Sequence, residues 1–225
     1  MIRAVIFDMY ETLITHYNCP LYFGAEMAKD AVIPKEKFFH LWRDSSMDHD
    51  RTIGKLTLEE LLERILKEND CYSEELLNEL VAKRVATKEA CFAHLHTEII
   101  PMLSQLKEKG LLVGLISNCY AEEAEVIRKS ELFQYFDKVY LSCEQGVAKP
   151  DKEIFYRCVQ GLSVKPGECV YVGDGGSFEL ETASELGMKA VQATWYLQEG
   201  STQPSKRKEG FAQAETPLEV LAYLG

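Results

Sequence analysis

The stretch Met1-Ile-Arg-Ala-Val-Ile-Phe-Asp-Met-Tyr-Glu-Thr-Leu13 decides the fold, because an apolar run within it ends abruptly at a carboxylate. The run from Ala4 to Phe7 has no polar alternation, which predicts a strand that is buried on both faces. Asp8 then lies at the carboxyl end of that strand, where open α/β sheets bind their ligands. A carboxylate in this position can be a nucleophile or a metal ligand, although it can also be a helix cap or a turn residue.

The bulk properties narrow the class of protein. A chain of 225 residues with 46% apolar residues fits one globular core, with or without an insertion. A formal net charge of −11 disfavours nucleic acid and anionic membranes as partners, so we expect a small-molecule substrate and a monomer or homodimer. No apolar run is long enough to span a bilayer, and no signal peptide is expected, because Asp8 and Glu11 interrupt the N-terminal region.

The cysteines and histidines give no sign of a metal site. The seven cysteines are odd in number and form no CxxC pair, so they are expected to be reduced thiols in a cytoplasmic protein. His94 and His96 are two residues apart and cannot share a helix face, so no metal role is expected for them.

The segment from residue 16 to residue 96 shows helical spacing of apolar residues and no convincing strand. One such series is Leu58, Leu61, Leu62, Ile65 and Leu66. Thr57 followed by Glu60 predicts a capping box at the start of that helix. We therefore expect 16–96 to form an inserted helical cap domain that selects the substrate, and 1–15 together with 97–225 to form the core.

From residue 97 onwards, predicted strands and helices alternate. Strands are expected at Leu111–Ile116, Lys138–Leu141, Glu168–Val172 and Lys189–Thr194. Helices are expected at Ile99–Lys109, Ala121–Lys129, Lys152–Val159, Ser177–Leu186 and Leu218–Leu224, with a polar loop at 199–210. This alternation predicts an α/β class with a Rossmann-like, doubly wound parallel sheet and right-handed crossovers.

Polar side chains follow several of the predicted strands at the point where each strand ends. These residues are Asp8, Thr12, Ser117, Asn118, Lys149, Asp174 and Glu179. Each of them alone could be a helix cap, a turn residue or a surface residue. Because the carboxyl ends of parallel strands meet at one edge of a sheet, we expect the set to converge on one site.

The converging residues suit displacement at a charged centre. Asp8 is the candidate nucleophile, and Asp174 and Glu179 are hard oxygen ligands of the kind that Mg²⁺ takes. Ser117 and the backbone amides next to it can hold a phosphoryl oxygen at a helix start. Lys149 can neutralise the nucleophile and the transferring group, since three carboxylates in one site would otherwise repel each other strongly.

These residues, in this order, resemble the four motifs of the haloacid dehalogenase (HAD) superfamily of hydrolases. The matching segments are Phe7-Asp8-x-x-x-Thr12-Leu13, Ile116-Ser117-Asn118, Ala148-Lys149-Pro150-Asp151 and Val172-Gly173-Asp174, with Glu179 following. The resemblance covers nearly the whole chain and implies a C1-type helical cap between the first and second motifs. It also implies an aspartyl intermediate, with catalytic roles for Asp8, Thr12, Ser117 and Lys149. The Mg²⁺ ligands that it implies are Asp8, Asp174, Glu179 and the backbone carbonyl of Tyr10.

Tyr10 departs from the family's phosphatase pattern, Asp-x-Asp-Gly-Thr, in which the second Asp protonates the leaving alkoxide and then activates water. A tyrosine hydroxyl, with an ordinary pKa near 10, is a poor base at neutral pH, and Glu11 is offset from the missing acid by one residue. Tyr10 remains a candidate catalytic residue because tyrosine here resembles the 2-haloacid dehalogenase branch, in which halide leaves without a proton and no metal is used. That branch binds the substrate carboxylate with a cap arginine, for which Arg43 is the candidate.

The acidic pair Asp174 and Glu179 favours the phosphatase branch, since the dehalogenase branch carries Ser and Asn in this loop. An acidic pair with no metal beside it would be repulsive. The leading hypothesis is therefore a Mg²⁺-dependent phosphatase of a small phosphorylated metabolite, slow or restricted to activated phosphates. The alternatives are a 2-haloacid dehalogenase-like hydrolase, a phosphonate hydrolase that uses Lys55 for a Schiff base, and a non-catalytic phosphate-binding descendant.

The polar stretch 45–54 is expected to connect two cap helices and to act as a specificity loop. It contains His49, Asp50 and Arg51, which suit contact with a polar substrate, and Gly54 is its candidate hinge. The simpler interpretation is a plain helix connection. The substrate contacts expected overall are Ser117, Asn118, Lys149, Arg43 and Arg51.

Overall fold

A central strand, β1 (Ala4–Phe7), organises the sheet in the computed structural model, which describes residues 1–198 and 206–225. The further strands are β2 (Leu112–Ser117), β3 (Lys138–Leu141), β4 (Cys169–Gly173), β5 (Lys189–Ala193) and β6 (Ala212–Ala214). Their order across the sheet is β3-β2-β1-β4-β5-β6, and every neighbouring pair is parallel. The predicted doubly wound α/β fold is therefore confirmed.

The switch point of this sheet lies between β1 and β4. The chain builds β2 and β3 on one side of β1 and then returns to build β4, β5 and β6 on the other side. Phe7 is in register with Leu115 and Val172, and the backbone N–H of Asp8 donates to the carbonyl of Val172 at 2.9 Å. Residues that follow β1, β2 and β4 therefore share one edge, where such sheets bind ligands.

Ten α-helices accompany the sheet in the described residues. The first five form an insertion after β1: α1 (Gly24–Asp30), α2 (Lys35–Trp42), α3 (Ser45–Thr52), α4 (Leu58–Glu68) and α5 (Glu74–Phe92). The others are α6 (Ile99–Glu108), α7 (Ala121–Lys129), α8 (Ser142–Gln145), α9 (Lys152–Gly161) and α10 (Glu179–Glu185). Short 3₁₀ helices occupy Phe133–Tyr135, Pro166–Glu168 and Pro217–Tyr223. None of these helices combines the length and the apolar character that crossing a bilayer requires.

Alternate residues of β1 face two different apolar layers. Val5 and Phe7 pack with residues of α6 and α7, whereas Ala4 and Ile6 pack with residues of α9 and α10. This two-sided burial is what an uninterrupted apolar strand requires. The sheet is thus covered by helices on both faces, as the strand and helix alternation predicts.

The inserted helices have an apolar cluster of their own. It is built from buried residues of α1, α2, α4 and α5 and includes Met27, Phe38, Leu61, Ile65 and Leu80. The predicted capping box at the start of α4 is confirmed, because Thr57 accepts from the N–H of Glu60 at 3.1 Å and Glu60 accepts from the N–H of Thr57 at 2.8 Å. Helix α5 packs on α4 in the cap and on α7 in the core, so it links the two layers.

Two local predictions need correction, and one strand was not predicted. The stretch 45–54 is not a loop, because the side chain of Asp44 accepts from the N–H groups of Ser46 and Met47 and starts α3 there. The strand β6 is an additional edge strand of three residues, too short for its period to be visible in the sequence. The last predicted helix, Leu218–Leu224, is a 3₁₀ helix, and residues 199–205 of the predicted polar loop lie outside the described residues.

Candidate active site

Three buried carboxylates meet at the switch point of the sheet. Asp8 follows β1, Asp174 follows β4, and Glu179 begins α10. One oxygen from each residue can be chosen so that all three lie within 4.8 Å of one another. Oxygen ligands grouped in this way are the kind of set that Mg²⁺ takes, so the residues present fit that cation.

The ammonium group of Lys149 lies among these carboxylates. Its Nζ is 2.7 Å from Oδ1 of Asp8, contacts Oε2 of Glu179 and lies 3.3 Å from the hydroxyl oxygen of Tyr171. Burial alone would lower the pKa of Lys149, but Asp8 and Glu179 overcome this effect and raise the pKa above its ordinary value. Lys149 is therefore a permanent cation at neutral pH.

The charge of the cluster is unbalanced. Burial and then the neighbouring Glu179 raise the pKa of Asp8 well above its ordinary value, against the opposing effect of Lys149. When all three carboxyls are ionised, as ligands of a cation must be, they and the one ammonium group sum to two negative charges. A divalent cation bound here would balance that sum.

The glycines of the fourth motif make room for Glu179. The backbone N–H of Gly175 donates to Oε1 of Glu179 at 3.1 Å, and the hydroxyl of Tyr171 donates to Oε2 at 3.0 Å. A Cβ atom on Gly173 would lie 2.1 Å from Oε1 of Glu179, so only glycine leaves space for this carboxylate.

Asn118 positions the loop that carries Lys149. Its Oδ1 accepts from the backbone N–H of Lys149 at 2.8 Å, and its Nδ2 donates to the backbone carbonyl of the same residue at 2.9 Å. Both polar atoms of the amide are engaged by the same residue. The side chain of Asn118 therefore fixes the place from which Lys149 reaches Asp8.

Two small hydroxyls at the strand ends are buried and have no hydrogen-bond partner among the described residues. They are Oγ1 of Thr12 and Oγ of Ser117. Buried polar atoms in folded proteins are almost always hydrogen-bonded, so unpartnered hydroxyls call for a ligand or a water molecule. Both come from motif residues that the sequence places in the site.

Tyr10 follows Asp8 by two residues and has its ring stacked on His16. The ring centroids are 4.6 Å apart at an interplanar angle of 5°, and Nζ of Lys88 lies 5.1 Å from the centre of the tyrosine ring. The hydroxyl is buried and has no hydrogen-bond partner among the described residues. Burial, followed by the charge of Glu123, raises the pKa of Tyr10 well above its ordinary value, which makes it a still poorer base than an exposed tyrosine.

A cavity of about 430 Å³ opens between the inserted helices and the core, next to this site. Tyr10 and Asn118 form its wall on the core side, and the chain of α3 and α5 forms much of the opposite wall. Arg51, predicted as a substrate contact, lines the cavity. The structure thus brings this one cap residue close to the core motifs.

Two other residues predicted from the cap lie elsewhere. Arg43 is exposed, does not line this cavity, and places its guanidinium 4.1 Å from the ring centre of Phe39. Lys55, the candidate Schiff-base lysine, is exposed as well and also lies outside the cavity. Neither position supports a role at the carboxylates.

Sequence reasoning missed four buried charged residues of α5 and α7, of which Arg84, Lys88 and Glu123 line the cavity. Arg84 and Lys88 are buried on α5, and Glu122 and Glu123 are buried at the start of α7. A signal for the first two was present, because Leu80, Arg84, Lys88 and Cys91 follow one another at helical spacing. Two cations that continue an apolar stripe are unusual on an ordinary surface helix.

Known proteins resemble this chain in sequence. The family model of haloacid dehalogenase-like hydrolases matches residues 2–187. The glyceraldehyde 3-phosphate phosphatase of Methanopyrus kandleri is 28% identical over 206 residues, which cover 85% of this chain and 84% of the relative.

Solved structures share the fold at lower identity. A 2-haloacid dehalogenase from Pseudomonas syringae pv. Tomato has a TM-score of 0.69 at 22% identity and covers 100% of this chain and 98% of its own. An HAD family enzyme from Bacteroides thetaiotaomicron, in complex with magnesium and inorganic phosphate, has a TM-score of 0.66 at 21% identity. The match covers 89% of this chain and 96% of that enzyme. Since the family match spans most of the chain and its motif residues meet at one edge of the sheet, this chain belongs to the haloacid dehalogenase-like hydrolases.

Proposed function

We propose that this hydrolase is a Mg²⁺-dependent phosphatase of small phosphorylated metabolites that works through an aspartyl phosphate on Asp8. The observation that carries the proposal is the set of three buried carboxylates around one buried lysine. A hydrolase that expels halide without a metal has no use for the second and third carboxylates, which would only repel each other. The phosphatase name of the Methanopyrus kandleri relative and the magnesium and phosphate bound to the Bacteroides thetaiotaomicron enzyme support the same assignment.

The cation site is proposed from the oxygen donors at the switch point. Asp8, Asp174 and Glu179 would hold Mg²⁺, together with the backbone carbonyl of Tyr10. When bound, the cation would supply positive charge to the phosphoryl oxygens and would relieve the repulsion among the carboxylates.

The covalent step is a displacement at phosphorus. A carboxylate oxygen of Asp8 attacks the phosphorus atom, the bond from phosphorus to the substrate oxygen breaks, and the leaving group departs as an oxyanion that takes its proton from solvent. Lys149 stabilises the charge on the transferring group, and the hydroxyls of Thr12 and Ser117 donate to its oxygens. Attack of water on phosphorus then breaks the bond to Asp8 and releases phosphate.

Position 10 limits the range of alcohols that can leave. An alkoxide needs a proton, and the buried hydroxyl of Tyr10 has neither the acidity nor a hydrogen-bonded relay to supply it. We expect faster turnover of phosphates whose leaving group is stable without protonation. This restriction is the property that separates the chain from phosphatases with Asp at the same position.

The assignment of separate roles to two domains is also a proposal. We assign residues 16–96 to a cap domain that covers the site and residues 1–15 with 97–225 to the catalytic core. Arg51 lines the cavity between them and is our candidate cap contact to the substrate. Arg43 is exposed and would need a different cap position to reach the site.

A 2-haloacid dehalogenase-like activity is the second candidate. Tyr10 favours it, because halide leaves without protonation, and the fold is shared with the Pseudomonas syringae dehalogenase. Asp174 and Glu179 argue against it, because these carboxylates beside the nucleophile would only repel one another if no metal were bound.

One experiment separates the two. Release of p-nitrophenol from p-nitrophenyl phosphate is measured with Mg²⁺ and with a chelator, and chloride release from 2-chloropropionate is measured in parallel. We expect phosphate hydrolysis that requires Mg²⁺ and is abolished in Asp8→Asn, while Asp70→Asn, an exposed control in a left-handed turn that asparagine tolerates, keeps it. Metal-independent chloride release, or hydrolysis that persists in Asp8→Asn, would overturn the proposal.

A further inference from the structure

A group of buried charges surrounds the cavity between the cap and the core. It joins α3 and α5 to the first turn of α7 through four ion pairs, of which the longest joins Nε of Arg84 to Oε1 of Glu122 at 4.0 Å. The other three are shorter. Nη2 of Arg51 is 2.7 Å from Oε1 of Glu122, Nη2 of Arg84 is 3.3 Å from Oε1 of Glu123, and Nζ of Lys88 is 2.5 Å from the same oxygen of Glu123. All five side chains are buried.

Positive charge exceeds negative charge in this group. Arg51, Arg84 and Lys88 all line the cavity, and two carboxylates, Glu122 and Glu123, pair with them. Three cations and two anions give this buried group a net charge of one positive. Buried charge of one sign is costly unless a partner of the other sign balances it.

Two further carboxylates nearby do not remove this excess from the cavity wall. Asp48 lines the cavity but is exposed to solvent, and its Oδ1 accepts from the hydroxyl of Tyr120 at 2.6 Å. Glu11 lies beyond the ring of His16, whose Nδ1 is 3.3 Å from Oε1 of Glu11 and whose Nε2 is 2.5 Å from Nζ of Lys88. The imidazole ring therefore stands between Glu11 and Lys88.

The guanidinium groups also keep unused hydrogen-bond donors. Nε of Arg51 and Nε of Arg84 are buried donors with no hydrogen-bond partner among the described residues. In the same group of charges, only one acceptor, Oε2 of Glu122, is buried without a partner among those residues. A buried N–H group without an acceptor is destabilising by about 1–3 kcal/mol in general. An anion in the cavity would supply acceptors of the kind that guanidinium groups bind best.

Aromatic side chains hold one of these cations in place. The guanidinium carbon of Arg51 lies 3.8 Å from the ring centre of Tyr120 and 5.1 Å from that of Trp42. Such contacts favour the charged form and restrict its orientation. Arg51 is therefore already oriented before any ligand enters, which lowers the entropy lost on binding.

A purely structural role fits these observations less well. An ion-pair latch between two layers is most stable when its charges balance, and it gains nothing from an open volume of about 430 Å³ along one side. Here the three cations line that volume, and Tyr10 and Asn118 connect it to the carboxylate site. Ligand binding explains both the excess charge and the open volume.

We infer that the leaving alcohol of the substrate carries a second anionic group, a carboxylate or a second phosphate, that binds in this cavity against Arg51, Arg84 and Lys88. This inference rests on the proposed function, since it places the phosphoryl group at Asp8 and the second anion on the cap side. It goes further by naming the class of substrate: phosphorylated hydroxy acids or bisphosphates, in preference to monophosphates of uncharged alcohols.

Binding to Asp8→Asn tests the inference without requiring turnover. Calorimetry with Mg²⁺ present compares 3-phosphoglycerate with glycerol 3-phosphate, which differ by a carboxylate in place of a hydroxymethyl group. A second comparison, fructose 1,6-bisphosphate against fructose 6-phosphate, asks whether the second anion is a phosphate. We expect at least about tenfold tighter binding of the doubly anionic member in one of the two pairs, a difference of the size that one buried charge pair gives.

Variants then locate the preference. Arg84→Met, and the paired replacement of Arg51→Met with Glu122→Met, which removes a cation and its partner together, should both reduce the ratio to below about threefold. The paired variant keeps the test valid if Arg84→Met does not fold. Arg64→Met, an exposed cap arginine beside Met47, should keep the full ratio.

Equal affinity within both pairs, or a preference that survives in both cavity variants, would overturn the inference. That result is distinguishable from failure of the proposed function, which would appear as absence of Mg²⁺-dependent p-nitrophenyl phosphate hydrolysis in the wild-type chain.

Discussion

The side-chain nitrogen of Lys149 lies 2.7 Å from Oδ1 of Asp8, and the same nitrogen contacts Glu179. One cation therefore holds the candidate nucleophile and a candidate metal ligand together. Asn118 fixes this arrangement by binding both backbone polar groups of Lys149. The lysine does more than offset charge, because its position also sets the distance between the two carboxylates.

Replacement of Lys149 by methionine should lower kcat for p-nitrophenyl phosphate by at least about 10², since the transferring group loses its fixed positive charge. Initial rates at saturating Mg²⁺ check this. Lys152→Met is the matched control, because Lys152 is half exposed, pairs with Glu185 on the surface and should retain turnover within about twofold. A Lys149→Met enzyme with near wild-type kcat would contradict the role given to this lysine.

Restoring an acid at position 10 should raise turnover of an alkyl phosphate. In Tyr10→Asp a carboxylate would stand where the family's phosphatases protonate the alkoxide, and general acid catalysis of this kind contributes about 10²–10⁴ in rate. The comparison is kcat for glycerol 3-phosphate against kcat for p-nitrophenyl phosphate, whose leaving group needs little protonation and should gain much less. Tyr10→Phe is the control for loss of the ring hydroxyl. An equal gain on both substrates, or none on either, would mean that proton transfer is not what limits the site.

The core residues of the site were predictable because parallel strands end at a shared edge. Asp8, Ser117, Lys149, Asp174 and Glu179 each follow a strand or an adjoining loop, and apolar runs with helical segments between them are visible in the sequence alone. Local patterns were sufficient here, since the rule that joins the residues is a property of the sheet.

The cap side of the site was not predictable in the same way. The segment Ser45–Thr52 is almost entirely polar, so its helix depends on the cap from Asp44 and shows no apolar period. The partners of Arg84 and Lys88 lie on α7, about 35 residues away in sequence, and only the packing of α5 on the core brings them together. No spacing rule within one helix could have named Glu123 as the shared partner.

Gly54 should be intolerant of a side chain because it lies against the core. Its φ is +76°, and a Cβ atom would lie 1.9 Å from the backbone oxygen of Cys143 in α8. Gly54→Ala should therefore destabilise the fold by about 1–3 kcal/mol from overpacking in addition to the backbone strain. It should also raise KM, since α3 carries Arg51 into the cavity.

The control for this substitution is Gly110→Ala. Gly110 has a φ of +73° and no atom within 4 Å of a Cβ, so it shares the backbone strain without the clash. Urea unfolding and KM for a doubly anionic substrate such as 3-phosphoglycerate should separate the two variants. Equal losses of stability and unchanged KM in both would show that the contact between Gly54 and Cys143 does not position the cap.

The ion pairs of Glu123 should make the folded state less stable as the pH falls into the acidic range. Burial alone would raise the pKa of this carboxyl, but Lys88 and Arg84 overcome it and hold the pKa at about 2, below an ordinary value of 4.5. A carboxyl whose pKa is lower in the folded state stabilises the fold above the unfolded value, and that contribution is lost as pH falls from about 4.5 towards about 2.

Glu123→Gln isolates this effect, because glutamine does not titrate and leaves Lys88 and Arg84 without their shared carboxylate. At pH 7 the variant should be less stable by about 3–5 kcal/mol, the usual cost of breaking a buried pair. Denaturant unfolding between pH 7 and pH 3 should show this gap narrowing once the pH falls below about 4.5, because the carboxyl of the unfolded wild-type chain then takes up a proton while the folded one stays ionised. Glu125→Gln, on the exposed face of the same helix and paired with Lys129 at 3.3 Å, should show a gap of less than about 0.5 kcal/mol at every pH. A wild-type advantage over Glu123→Gln that stays constant down to pH 3 would mean that Glu123 is not held by the buried cations of α5.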